Sequence, residues 1–181
     1  MISRRQLLTN AARLSAVACS GAGFSLTAQS SEADRTLRLY NIHTGEHVTS
    51  TFWSNGHYID SELQSLDLLV RDHRANQAIA MQRELYQRLF DLQQLFAAEQ
   101  PMYIISGYRA PHTNRSLRQG SSGVAEGSLH MQGKAIDIRI PGVSHRHLHQ
   151  AAIAMRAGGV GYYPNDGFVH LDTGRVRRWT S

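Results

Sequence analysis

The chain has a single cysteine, Cys19, in 181 residues. No disulfide can close within it. Cys19 also lies in an N-terminal segment that reads as a removable signal, so cysteine nucleophiles and cysteine-ligated metals are excluded from the mature protein. Lysine is equally scarce. Lys134 stands alone, and arginine carries the remaining positive charge. The formal charge of +5 falls to about +2 once Arg4, Arg5 and Arg13 are removed, because no acid is removed with them. So small an excess leaves no electrostatic footprint for nucleic acid, and no phosphate-binding loop or nucleic-acid motif accompanies it. No run approaches the ~20 apolar residues that cross a bilayer, so the processed chain is not expected to span a membrane. There is no internal repeat, coiled-coil pattern or broad apolar surface stripe, and no obligate protein partner is expected.

Residues 3–8, SRRQLL, read as a twin-arginine export signal, followed by a weakly apolar stretch. Leu26, Thr27 and Ala28 form a small-residue cleavage site. The expected organisation is a signal over 1–28, a polar linker over 29–36 and one domain over 37–181, working in the periplasm. The box ending at Cys19 offers lipid anchoring as an alternative.

Beyond the linker, 37–42 and 46–53 read as strands joined at Thr44 and Gly45. Asp60 or Ser61 is expected to cap a helix running to about Arg71. A longer helix is expected over about 75–99, because Leu85, Leu89, Leu92 and Phe96 recur at helical spacing before Pro101. A strand at 102–106 follows, then a long Gly/Ser-rich loop reaching His130. Such loops inside compact domains are usually functional. Next come a strand at 135–140, a helix over 144–157 stopped by Gly158 and Gly159, and two strands, 160–163 and 168–172. A Pro-Asn-Asp-Gly turn joins these last two. The pattern is α+β, with a small antiparallel sheet and helices packed mainly on one face.

Three residues carry the chemistry. Asp137 interrupts the alternating run 135–140, so it points away from Ile136, Ile138 and Ile140. A charged side chain in mid-strand needs a partner if buried, and a metal is one such partner. His170 sits in a second strand, sharing a face with Phe168 and Asp172. His130 ends the Gly/Ser-rich loop. Two imidazoles and one carboxylate are a standard set for a catalytic zinc, because three ligands leave the fourth tetrahedral position open. A hydrolase using metal-activated water follows from that reading. The remaining histidines read differently. His145, His147 and His149 look like a metal tract but suit a solvated helix, with His147 at the edge of the cleft. His43, His47, His57 and His73 suit surface or packing positions.

Several phrases together resemble the LAS group of zinc peptidases (lysostaphin-type, D-Ala-D-Ala carboxypeptidase and hedgehog-like). They are Ser106 to Arg109, the set Ser128, His130, Gly133, Ala135 and Asp137, and Gly167 to His170. Further phrases resemble the YcbK-like branch of murein endopeptidases: Trp53, Gly56 and Tyr58; Arg71 to Arg74; Gly158 to Pro164; Asp172 to Arg177. The resemblance implies a hedgehog-like zinc domain that cuts cross-links between peptidoglycan stem peptides. It implies His130, Asp137 and His170 as ligands and Arg109 as the substrate residue. A guanidinium suits that role, whether it forks onto a carboxylate or steadies an oxyanion. Tyr108 and Asn114 are expected beside Arg109, either lining the cleft or as packing and a loop-fixing hydrogen bonder. The sequence departs from the group at Phe168, where many members carry the general base. Asp172 becomes the first candidate for that role, or alternatively an orienter of His170. Glu126 is the next candidate base. The departure also supports a different reading, a non-catalytic zinc-containing module that grips peptidoglycan without cutting it.

Overall fold

The structure, a computed structural model, describes residues 33–120 and 123–181. The expected signal and residues 29–32 of the expected linker lie outside them, and the last two linker positions, Arg35 and Thr36, belong to the first strand. The elements in chain order are β1 (Arg35–Asn41), β2 (His47–Ser54), β3 (His57–Tyr58), α1 (Asp60–Leu69), α2 (Arg83–Leu95), β4 (Met102–Ser106), α3 (Pro111–Gly120), a 3-10 turn (Leu129–Gln132), β5 (Ala135–Arg139), α4 (His145–Ala154), β6 (Gly159–Tyr163), β7 (Phe168–Asp172) and β8 (Arg177–Thr180). All eight strands join one sheet in the order β3-β2-β1-β4-β5-β7-β6-β8.

The architecture is α+β, but the sheet is neither small nor wholly antiparallel. β1 pairs parallel with β4, and β6 pairs parallel with β8. The first parallel pair arises because β1 and β2 precede α1 and α2, whose length carries the chain back to start β4 beside β1.

The apolar alternation along the strands selects one face as core. Leu37, Leu39, Met102, Ile104, Ile136, Ile138, Val169 and Leu171 pack there with Leu63, Leu66 and Leu69 of α1, Leu85, Leu89 and Leu92 of α2, and Leu148 and Ala152 of α4. Period-2 geometry puts Asp137, His170 and Asp172 on the opposite face.

Three local expectations change. α2 begins at Arg83 rather than about 75, because the preceding backbone is used elsewhere. Met81 N–H donates to the Asp67 carboxylate at 3.0 Å, and Gln82 N–H donates to the Gly133 carbonyl at 2.9 Å. α1 begins at Asp60 itself, with Ile59 in the cap position and no side-chain cap. Part of the expected long loop is helix: α3 opens with Pro111 at its first position, where the missing N–H costs nothing, and runs to Gly120.

Candidate metal centre

Four strands set one row of side chains across the non-core face. In register, Asp137 of β5 stands opposite His170 of β7, His170 opposite Gly161 of β6, and Gly161 opposite Trp179 of β8. Two residues along, a second row runs Ala135, Asp172, Gly159, Arg177. The glycines leave β6 bare, so side chains from β8 reach across it. A Cβ on Gly161 would lie 2.6 Å from the Trp179 indole, and one on Gly159 would meet Arg177 and Asp172. Trp179 therefore rests against the His170 ring, with centroids 5.1 Å apart. Arg177 grips Asp172 with both terminal nitrogens, at 3.0 and 2.6 Å.

His130 joins this face from the 3-10 turn. Gly133, at φ +66°, ends that turn and lets the chain enter β5 directly. The Arg109 N–H donates to the His130 carbonyl at 3.3 Å. His130, Asp137 and His170 are all buried, and one donor atom from each lies within 4.8 Å of the others. They are the one such group of three His, Cys, Asp or Glu residues among the described residues.

The proton inventory shows what this cluster holds. His130 Nδ1 lies 2.7 Å from the Gly107 carbonyl oxygen. A carbonyl only accepts, so Nδ1 carries the proton and Nε2 of the neutral ring is bare. His170 Nε2 lies 3.1 Å from Asp172 Oδ2, which leaves Nδ1 of that ring bare in the same way. The two bare nitrogens face each other at 3.2 Å, and Asp137 Oδ1 lies 2.8 Å from His170 Nδ1. Three lone pairs thus converge in a buried site and repel unless a cation lies among them. Without a metal that cation is a proton. Burial opposes a charged His170, but hydrogen bonds to Asp137 and Asp172 outweigh it and raise its pKa to about 9. Burial likewise disfavours the Asp137 carboxylate, yet the adjacent imidazoles pull its pKa well below the usual range. A divalent ion replaces the proton with more charge and directed lone-pair bonds, so the donor set fits a metal.

Asp172 sits behind His170, fully buried. It accepts from Gly159 N–H, Gly174 N–H, both Arg177 nitrogens and His170. Burial disfavours its charged form, but the hydrogen bonds from His170, Arg177 and Gly174 hold its pKa far below the usual range. Glu126 turns outward; its side chain is 84% exposed and faces Arg118 at 3.5 Å.

Arg109 Nη2 lies 4.0 Å from Asp137 Oδ2, and Arg109 also donates to Asn114 Oδ1 and Ser106 Oγ, both at 3.3 Å. Burial draws its pKa below the ordinary arginine value, with the Asp137 charge acting the other way. Asn114 bonds Arg109 on one side and the Ala125 carbonyl on the other, at 3.1 Å, fixing the loop that walls the site. Tyr108 is packed in the core cluster.

A cavity of about 310 Å³ opens over the cluster. Arg109, His130, Asp137, Phe168 and His170 line it, and so do Tyr163, Asp166, Arg177 and Trp179, to which the sequence reading gave no site role. The signal for the last two was the Gly159-x-Gly161 spacing, since small residues in a strand mark close approach by a neighbour. The histidines of α4 do not line the cavity; His149 stacks on Tyr162 at 4.8 Å.

Comparison with known proteins agrees with this geometry. The sequence profile described as peptidoglycan L,D-endopeptidase MepK matches residues 29–179. The chain belongs to the MepK family. It is 45% identical over 145 residues to the peptidoglycan L,D-endopeptidase MepK of Escherichia coli K12, covering 80% of each chain. It is 42% identical over 146 residues to the probable MepK of Haemophilus influenzae, covering 80% of this chain and 78% of that one. No solved structure matches the chain.

Proposed function

We propose that the chain is a zinc-dependent endopeptidase hydrolysing peptide cross-links of peptidoglycan, with the L,D bond named for its relatives as the bond cut. The observation that carries the proposal is the convergence of three bare lone pairs under an open cavity lined by two guanidiniums, of which Arg177 is engaged with Asp172 and Arg109 faces Asp137. His130 Nε2, His170 Nδ1 and an Asp137 oxygen are the atoms that would hold zinc. Bound there, zinc would supply a Lewis acid that polarises the scissile carbonyl and acidifies water towards a pKa of ~7.

The chain's own residues do the rest. Gly107 and Asp172 fix the two imidazoles in the tautomers that leave the inner nitrogens free. Asp172 is the orienter rather than the base, because donors surround its carboxylate and it does not line the cavity. Glu126 faces away from the cavity and takes no part. Apart from Asp137, Asp166 is the one side-chain carboxylate lining the cavity among the described residues, and we assign it the water proton, which it delivers to the leaving amine. Arg109 takes a substrate carboxylate or the developing oxyanion, with Asn114 holding it in place. The expected export signal over 1–28, its twin-arginine route, a linker from 29 up to the start of β1 at Arg35 and action in the periplasm belong to the same proposal. No helix among the described residues is long and apolar enough to cross a membrane.

The test is incubation of the purified domain with cross-linked peptidoglycan fragments, with and without a zinc chelator, and product masses by mass spectrometry. Chelator-sensitive conversion of dimers to monomers supports the proposal, and the masses name the bond. Intact dimers with zinc bound would instead favour the non-catalytic binding module.

A further inference from the structure

Tyr163 stands at the end of β6, where the strand meets the cavity. Its ring is fixed on two sides. Phe168, its cross-strand partner, stacks on it with centroids 4.4 Å apart and planes 16° apart. The Trp179 indole N–H donates to the Tyr163 hydroxyl at 3.0 Å. Packing accounts for the ring but not for that hydrogen bond. An indole N–H only donates, so the Tyr163 oxygen is the acceptor and its own proton must point elsewhere. Among the described residues, no group accepts that proton. Trp179 is itself held, by the gap at Gly161 and by Arg177, whose guanidinium lies 4.9 Å from the indole centroid. Arg109, His130, Asp137 and His170 line the same cavity.

We propose that Tyr163 is a catalytic hydrogen-bond donor, and that Trp179 aims its hydroxyl at the oxygen of the scissile carbonyl. As the water oxygen bonds to the carbonyl carbon, the carbonyl π pair moves onto its oxygen. Tyr163 donates to that oxygen alongside Arg109 and keeps its proton throughout. The pair returns as the C–N bond breaks, and the proton taken from water ends on the leaving nitrogen. The donor is paid for in advance by folding, since Phe168 and Trp179 already hold the ring, and preorganised donors of this kind are the strongest transition-state stabilisers. The role of Phe168 follows: it gives up the position of a base and serves as the stacking partner that holds Tyr163.

The inference rests on the endopeptidase reading, and steady-state kinetics on a cross-linked dimer separate the two. Tyr163→Phe keeps the ring and removes only the hydroxyl. It is expected to lower kcat on the order of 10²-fold, with KM, zinc stoichiometry and thermal midpoint close to those of the unsubstituted chain. Trp179→Phe leaves the Tyr163 hydroxyl in place but unaimed, and should lower kcat by a smaller factor with KM again unchanged. An active unsubstituted chain whose Tyr163→Phe variant keeps kcat within twofold overturns the inference and leaves the endopeptidase reading standing. An unsubstituted chain that binds zinc and cleaves nothing overturns both.

Discussion

Asp172→Asn changes one buried oxygen for an amide nitrogen at constant shape, and its consequences can be worked through. Every group that meets the carboxylate is a donor. Gly159 N–H, Gly174 N–H and one Arg177 nitrogen meet Oδ1; the other Arg177 nitrogen and His170 meet Oδ2. Whichever oxygen becomes the NH₂, donor faces donor. If the amide turns to His170, Nε2 must accept, and the ring proton moves to Nδ1, the atom that faces His130 and Asp137. Losing one partner of a buried ion pair costs about 3–5 kcal/mol. Arg177 is 33% exposed and can swing into water, which brings the loss to about 2–3 kcal/mol. Zinc affinity should fall about 10- to 100-fold, the usual effect of removing the group behind a ligating histidine. Thermal unfolding of the metal-free protein reads the first effect, and zinc competition against a fluorescent chelator reads the second. A variant with zinc affinity within twofold of the unsubstituted chain would refute the role given to Asp172.

In metal-free protein, the raised His170 pKa contributes stability below about 6.5 that is lost as pH rises through about 9. The unfolding midpoint should therefore fall over that interval, and zinc should bind more tightly as the competing proton leaves; a midpoint flat from pH 6 to 9 would contradict this. Arg109→Ala should lower kcat/KM by about 10²-fold or more with zinc stoichiometry unchanged, read by dimer cleavage and metal analysis. Asp166→Asn should lower kcat by about 10²-fold with KM unchanged, and full activity would remove it as the proton acceptor. Leu89→Ala, at a fully buried position in α2, should lower unfolding free energy by about 2–5 kcal/mol in urea titrations without altering zinc stoichiometry.

The parts of the fold written in period-2 alternation were legible. β7 spans 168–172 as read, and β5 places Asp137 on the face away from Ile136 and Ile138. α3 was not legible, because Leu117 is its only large apolar side chain and the helix shows no stripe; its helicity comes from Pro111 at the start and from tertiary contacts of Thr113 and Asn114. The parallel pairings of β1 with β4 and of β8 with β6 depend on where distant segments return, which no local pattern encodes. The convergence of His130, Asp137 and His170 was partly readable: Asp137 is a charge in an alternating strand, His170 shares a strand face with Asp172, and His130 ends a Gly/Ser-rich stretch. The saturation of Asp172 was not, since its donors come from Gly159, Gly174 and Arg177 and meet only after folding. Tyr163 was hidden because an aromatic residue at a strand end looks like packing until its hydroxyl is seen accepting from Trp179.

The central claim is that His130, Asp137 and His170 form a metal centre, and native mass spectrometry of the zinc-equilibrated domain beside its His130→Ala variant tests it most directly. One zinc per chain, absent from the folded variant, is the expected result. No zinc on the unsubstituted chain, or equal zinc on both, would contradict it.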